Sequence, residues 1–198
     1  MSWLVQQNAG GFELLGLMAF GDTVKPTATA AVRNLHQLGI KTLMLTGDNQ
    51  GSADAVAQAL GILDVRAEVL PSDKAAIVQA LRASGEVVAF VGDGLNDGPA
   101  LAAAHASIAP GTASDASQQA ADSVFIGERL MPVVIAVRVA RRCMVVVRQN
   151  FVFAIGYNLF AVPLALAGLV TPLIAALAMS TSSLVVVANS LRLAGSAK

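Results

Sequence analysis

Two kinds of hydrophobic patterning run along the chain, and they change over near residue 130. Before that point, short apolar runs alternate with mixed stretches whose apolar positions recur every three or four residues. Residues 40–45, 87–91, 106–109 and 123–126 read as strands, and a further short strand is predicted over 67–70. Helical patterns lie between them. One starts at Pro26, carries Val32, Leu35 and Leu38 on one face and stops at Gly39. A second holds Ala53, Val56, Ala57 and Leu60 ahead of Gly61, and a third holds Ile77, Val78 and Leu81 behind Ser72 as its cap. Further helices are predicted after Pro99 and after residues 111–115. Residues 1–20 hold two apolar runs around Asn8-Ala9-Gly10-Gly11, the pattern of a hairpin. Alternation of strand and helix from Ile40 to Ile126 needs crossover connections and therefore a mainly parallel sheet.

The second regime is helical and then continuously apolar. From Glu128 the pattern runs through Arg138, Arg141, Arg142 and Arg148 and enters a predicted span at about 149–170. Thr171-Pro172 makes the turn, and a second span follows over about 173–191. Composition agrees: of 198 residues 55% are hydrophobic and 13% charged, with mean hydropathy +0.65. A soluble domain carries about 25% charged residues, so part of this chain lies outside water. Arg141, Arg142 and Arg148 precede the first span, Arg192 and Lys198 follow the second, and the connection between spans has no basic residue. That asymmetry predicts a multi-pass protein of the cell (inner) membrane with the soluble part and both span ends cytoplasmic. Residues 1–6 lack the basic-then-apolar order of a signal peptide. The expected organisation is a soluble portion at 1–130 and a membrane portion at 131–198.

The densest chemistry lies between these regimes, in Val91-Gly92-Asp93-Gly94-Leu95-Asn96-Asp97-Gly98-Pro99-Ala100-Leu101. Two carboxylates and an amide follow a predicted strand in a glycine-rich turn, where open α/β sheets hold their ligands. Carboxylates this close repel unless a cation lies between them, and Mg²⁺ is the hard cation that suits them. Thr46-Gly47-Asp48-Asn49 ends an earlier strand, and a hydroxyl, a glycine and a carboxylate there suit a phosphate-binding turn. Asp48 or Asn49 serves equally as an ordinary helix cap. Lys74 stands in the first turn of a helix, where the macrodipole disfavours a cation, so it suits a residue facing a bound anion, although surface lysines are common there too.

Formal net charge +0 and 5% aromatics give nucleic acid no purchase. Cys143 is the single cysteine, which excludes an internal disulfide. Within the spans, Ser182, Ser183 and Asn189 suit helix–helix packing, and Met179 serves either as apolar filling or as a soft ligand for Cu(I).

Taken together, Thr46-Gly47-Asp48-Asn49, Pro71-Ser72-Asp73-Lys74 and Gly92-Asp93-Gly94-Leu95-Asn96-Asp97-Gly98-Pro99 resemble the consecutive phosphorylation-domain motifs of P-type ATPases. Asp22 to Pro26 matches the family's D-x-x-K/R-P segment. Two closing spans directly after the domain resemble the heavy-metal branch. Tyr157-Asn158 with Met179-x-x-Ser182-Ser183 is similar to its copper(I) pattern. The aspartate and lysine that zinc and cadmium transporters of the branch carry in these spans are not present.

The resemblance implies a fold and a division of labour. The fold is α/β, a haloacid-dehalogenase-like Rossmannoid partial domain with a parallel sheet, followed by a two-helix transmembrane hairpin. Asp93 would hold Mg²⁺ with Asn96 and Asp97 in support. Thr46 and Gly47 would contact the transferred phosphoryl group, Asp48 would begin the hinge, and Lys74 would neutralise charge. Tyr157, Asn158, Met179, Ser182 and Ser183 would line the path of the transported Cu⁺. ATP would be bound mainly by a domain not in this chain. The D-K-T-G-T nucleophile, the T-G-E loop and the C-P-C motif of the family are also not in it. The implied function is part of an ATP-driven heavy-metal transporter exporting copper(I), inactive by itself. Its implied partners are membrane lipid, the missing N-terminal half or a separate chain carrying it, and a copper chaperone. Alternatives are a non-catalytic or regulatory half-protein and a membrane-tethered haloacid-dehalogenase-type phosphatase.

Overall fold

The computed structural model describes residues 2–8, 11–18, 24–92, 95–127 and 129–193. They divide into two compact units, residues 1–131 and 132–198. The first unit opens with an antiparallel hairpin of β1 (Ser2–Asn8) and β2 (Gly11–Met18), whose register shifts between Leu4 and Val5. The hairpin leaves Phe12, Leu14, Leu15 and Leu17 exposed.

The alternating part follows in order: α1 (Pro26–Gln37), β3 (Leu43–Leu45), α2 (Gln50–Leu60), β4 (Asp64–Arg66), α3 (Pro71–Ala83) and β5 (Ala89–Val91). A 3₁₀ turn (Leu95–Asp97) leads into α4 (Gly98–Ala103), β6 (Ala106–Pro110), α5 (Asp115–Ala120) and β7 (Ser123–Phe125). All ladders after the hairpin are parallel: β3 with β4, and β5–β6–β7 in that order. The parallel sheet is therefore in two pieces. Among the described residues, β3 and β5 each have a neighbouring strand on one side only.

Local chemistry explains most boundaries. Gly61 ends α2 at φ 76, a left-handed conformation that glycine adopts without a Cβ penalty, and Gly39 turns the chain after α1 at φ 72. Asn49 caps α2 by accepting from the Ser52 amide at 3.0 Å. The core beneath the helices holds Ala31, Val32, Ala53, Ala57, Val78 and Leu101. Buried Ser107 on β6 is held by Asp122, whose Oδ2 accepts from the Ser107 amide at 2.8 Å and hydroxyl at 2.9 Å.

Two sequence expectations are corrected here. The strand expected at 67–70 lies at Asp64–Arg66 instead. Glu68 takes φ 54, which no strand tolerates, and the chain folds over the end of β3 with Glu68 N–H bonded to Asp48 O and Val69 N–H to Thr46 O. Ser72 does not cap α3. Pro71 occupies the first turn, which moves the cap position to Leu70, and the Ser72 hydroxyl donates to Asp73 at 3.2 Å.

The second unit is two long helices, α6 (Met131–Leu166) and α7 (Pro172–Leu191), both long and apolar enough to cross a membrane. α7 has 20 residues, about 30 Å at 1.5 Å per residue, matching the hydrocarbon core. The helix α6 ends at Leu166, and Gly168 at φ 72 closes it. Thr171 caps α7 through the Ile174 amide. Along α6 the half-buried positions of the apolar stretch include Asn150, Ala154, Tyr157 and Ala161. Along α7 they are Ala178, Ser182 and Val186, with Asn189 buried. Spacings of three and four residues put each set on one helix face.

Candidate functional site

The glycine-rich turn after β5 is built around Asp97. It occupies the cap position of α4, yet its side chain makes no cap bond there. It pairs instead with Lys74 across 23 residues of sequence, Nζ to Oδ1 at 2.7 Å, with side-chain exposures of 17% and 9%. At that distance the contact is a charge-assisted hydrogen bond in a nearly dry setting. It ties the start of α3 to the turn after β5. The anion beside Lys74 is thus a carboxylate of the chain, Asp97.

Gly92 makes room for that carboxylate. A Cβ there would stand 2.8 Å from Asp97 Oδ2 and 2.8 Å from Phe90 Cε1, closer than real Cβ contacts come. The requirement is one of space and not of backbone angle. The glycine at position 92 is therefore explained by packing. Asn96 is exposed. Asp93 and Gly94 lie outside the described residues, as does Asp22.

The second cluster sits at the end of β3. The Thr46 hydroxyl donates to Asp48 Oδ2 at 3.1 Å and accepts from the Asp48 amide at 3.1 Å. Thr46 is locked into β4 through its own amide, bonded to Arg66 O at 3.0 Å. Gly47 and Asp48 are exposed, and a Cβ at Gly47 would meet only Val69 O, at an ordinary 3.6 Å. A cavity of about 350 Å³ opens beside them, bordered by Lys25, Thr27 and Ser52 on its polar side and by Met44, Val56 and Leu60 on its apolar side. Thr27 is a neighbour of this turn that the sequence did not single out, whereas Lys25 belongs to the D-x-x-K/R-P segment, which carried no assigned role for it. Among the described residues no hydrogen bond joins the Thr46–Asp48 pair to the Lys74–Asp97 pair.

The donor set suits a hard cation. Asp97 has one oxygen on Lys74 and its other facing Gly92, and no His or Cys stands near it in sequence. Oxygen ligands of this kind favour Mg²⁺ over softer metals. Among the described residues no three His, Cys, Asp or Glu side chains cluster into a ready-made metal cage.

In the second unit the five span residues fall in two groups. Tyr157 and Ser182 belong to the half-buried faces, whereas Asn158, Met179 and Ser183 are exposed, Met179 at 68%. Asn158 donates to Ala154 O at 2.8 Å and Ser183 to Met179 O at 3.1 Å, each within its own helix.

The family profile for haloacid dehalogenase-like hydrolases matches residues 4–105. The chain belongs to that family. The curated relatives it matches are several times longer than this chain. It is 53% identical over 179 residues to the nitrogen fixation protein FixI of Rhizobium leguminosarum bv. viciae, covering 90% of this chain and 24% of that protein. It is 47% identical over 187 residues to a copper-transporting P-type ATPase of the same organism, covering 91% of this chain and 22% of that one. Among solved structures, a zinc-transporting PIB-type ATPase in its E2.Pi state superposes with a TM-score of 0.79 at 34% identity, over 92% of this chain and 29% of that chain. The chain thus spans about a quarter of the length of the relatives it matches. The expected fold class, a haloacid dehalogenase-like α/β domain with a parallel sheet and two apolar helices, holds. Over about nine-tenths of its length the chain is similar to these P-type ATPases, and two of its helices are long and apolar enough to cross a membrane.

Proposed function

We propose that this chain is the part of an ATP-driven copper(I)-exporting transporter that carries the Mg²⁺ and phosphate site and the two closing helices of the metal path. The observation carrying the reading is the extent of the likeness: about nine-tenths of the chain, soluble and apolar units alike, aligns with a copper-transporting P-type ATPase.

The roles follow from the chemistry of phosphoryl transfer, which rests on positioning and on stabilising charge. Residues 1–130 form the cytoplasmic phosphorylation-domain portion, and 131–198 the membrane portion. Asp93 holds Mg²⁺, which when bound neutralises charge on the phosphoryl oxygens. Asp97 supports it from a fixed position, because Lys74 and the gap at Gly92 leave its carboxylate one placement. Asn96, exposed in the same turn, is free to contact the phosphoryl group or its water shell. Thr46 and Gly47 offer a hydroxyl and an open backbone at the end of β3, and Asp48 orients the hydroxyl. Lys74 supplies positive charge next to Asp97. The phosphorylated aspartate and the bulk of the ATP site belong to the portion of the transporter outside this chain. The one-sided pairing of β3 and β5 supports that assignment, since both strands retain an edge on which another strand can pair.

In the membrane, Tyr157, Asn158, Met179, Ser182 and Ser183 pass the copper. The thioether of Met179 is the soft donor that favours Cu(I) over harder cations. The arginine-rich ends support a cytoplasmic soluble unit at the inner membrane. The partners are membrane lipid, the remainder of the transporter and a copper chaperone. The test is Asp93→Asn in the complete transporter: Mg²⁺-dependent ATP turnover is lost while copper binding persists. Retained turnover would overturn the assignment of the Mg²⁺ site.

A further inference from the structure

We infer that the amide cluster at the arginine end of the membrane hairpin is a register clasp, with Asn189 as its positioning residue. Asn189 is buried at 8% exposure in a helix whose other positions are largely exposed. Its Nδ2 donates to Asn150 Oδ1 at 2.9 Å and to Gln149 Oε1 at 3.3 Å. Asn150 Nδ2 in turn donates to Ser190 Oγ at 3.0 Å, and Arg192 Nη1 donates to Asn189 Oδ1 at 3.2 Å. Among the described residues, the hydrogen bonds that pass from α6 to α7 all lie in this cluster. Asn158, Ser180, Thr181 and Ser183 bond instead to a carbonyl four residues back on their own helix.

The apolar positions of the seam do not choose an alignment, and among the described residues neither Tyr157 nor Ser182 makes a side-chain hydrogen bond across it. Ala154 and Ala161 on α6 and Ala178 and Val186 on α7 are small or apolar, so a slip of one helical turn exchanges one apolar contact for another. Lipid does not penalise the exchange. Amides do. Only one alignment sets Asn189 against Asn150, and a slipped one parts the buried Asn189 amide from its partners. A single buried asparagine fixes register in coiled coils by the same logic.

The alignment has a consequence further along the hairpin. Seven residues along each helix from the Asn150–Asn189 pair, about two turns, stand Tyr157 and Ser182. Eleven residues along, about three turns, stand Ala161 and Ala178. These are the half-buried positions of both helices, so the clasp brings Tyr157 level with Ser182 at mid-hairpin. That these two belong to a copper path rests on the reading above; the register itself does not.

Disulfide trapping tests the clasp in membranes of cells producing the chain, in a Cys143→Ser background. Ala154→Cys with Val186→Cys reports the native alignment, and Tyr157→Cys with Val186→Cys reports a slip of one turn. With the clasp intact, the native pair cross-links about tenfold faster than the slipped pair, the scale set by a few interhelical hydrogen bonds in lipid. Asn189→Leu brings the ratio near one, and Asn189→Gln restores most of it. Asn150→Leu collapses the ratio in the same way and decides the matter if Asn189→Leu fails to insert. A residue that merely stabilised the hairpin would slow both pairs together and leave the ratio alone. An unchanged ratio in Asn189→Leu or in Asn150→Leu overturns the inference. Copper enters neither readout, so failure of the copper reading leaves this outcome untouched.

Discussion

Replacing Lys74 by Met should destabilise the soluble unit by about 2–3 kcal/mol, a figure bracketed from two sides. A hydrogen bond to a charged group contributes about 1.5–3 kcal/mol, and removing one partner of a fully buried ion pair costs about 3–5 kcal/mol. The Lys74–Asp97 contact is 2.7 Å long with side-chain exposures of 17% and 9%, so it lies between these limits and nearer the first. For a domain of this size, 2–3 kcal/mol lowers the thermal midpoint by roughly 6–15 °C. Heat pulses on the detergent-solubilised full chain, followed by brief proteolysis, report that midpoint. Lys41 provides the control. Its contact with Glu86 is 3.8 Å long and its side chain 92% exposed, so Lys41→Met should leave the midpoint in place. The double variant Lys74→Met with Asp97→Asn should cost at least about 1 kcal/mol less than the two single changes added together, since both remove one interaction. A shift below about 2 °C for Lys74→Met, or one equal to that of Lys41→Met, would refute the claim that this pair holds the turn.

Gly92→Ala and Gly47→Ala should separate packing from site chemistry. The first drives a methyl group into Asp97 and Phe90 at 2.8 Å and should cost about 1–3 kcal/mol in the same assay. The second meets nothing closer than 3.6 Å, so stability should hold while turnover of the complete transporter falls; loss of stability there would make Gly47 a structural glycine only. Met179→Leu keeps the volume of the side chain and removes the sulfur. It should weaken copper dependence and spare phosphorylation from inorganic phosphate, and unchanged copper stimulation would remove Met179 from the path.

Short-range chemistry was readable in the residues, and long-range chemistry was readable only as a demand. Gly39 and Gly61 end their helices in left-handed conformations, as a glycine after an apolar periodic run implies. Lys74 was out of place against a helix dipole, which announced an anion without saying which one. Its partner, Asp97, is 23 residues away and had a competing local role as a helix cap. Nothing in the sequence decides between those two. The strand expected at 67–70 failed for a related reason. Its apolar residues serve a loop that folds over Thr46 and Asp48, and the left-handed turn at Glu68, a residue with no special liking for that conformation, gives no warning. In the hairpin, Ser182, Ser183 and Asn189 all read as packing groups. Ser183 satisfies itself within its own helix, whereas Asn189 finds partners 39 and 40 residues away. That distinction depends on which face of α7 meets α6, and an almost uniformly apolar helix does not encode it as a periodicity.

Metal selectivity bears most directly on the proposed role, because the likeness extends both to a copper-transporting relative and to the structure of a zinc-transporting one. Vesicles containing the complete transporter would be supplied with ATP and Mg²⁺, and turnover measured against added Cu(I) or Zn(II). The apolar stretches at 149–166 and 172–191 carry a thioether and no charged side chain, which predicts stimulation by Cu(I) and none by Zn(II). Stimulation by Zn(II) with no response to Cu(I) would contradict the copper assignment and return Met179 to the role of apolar filling.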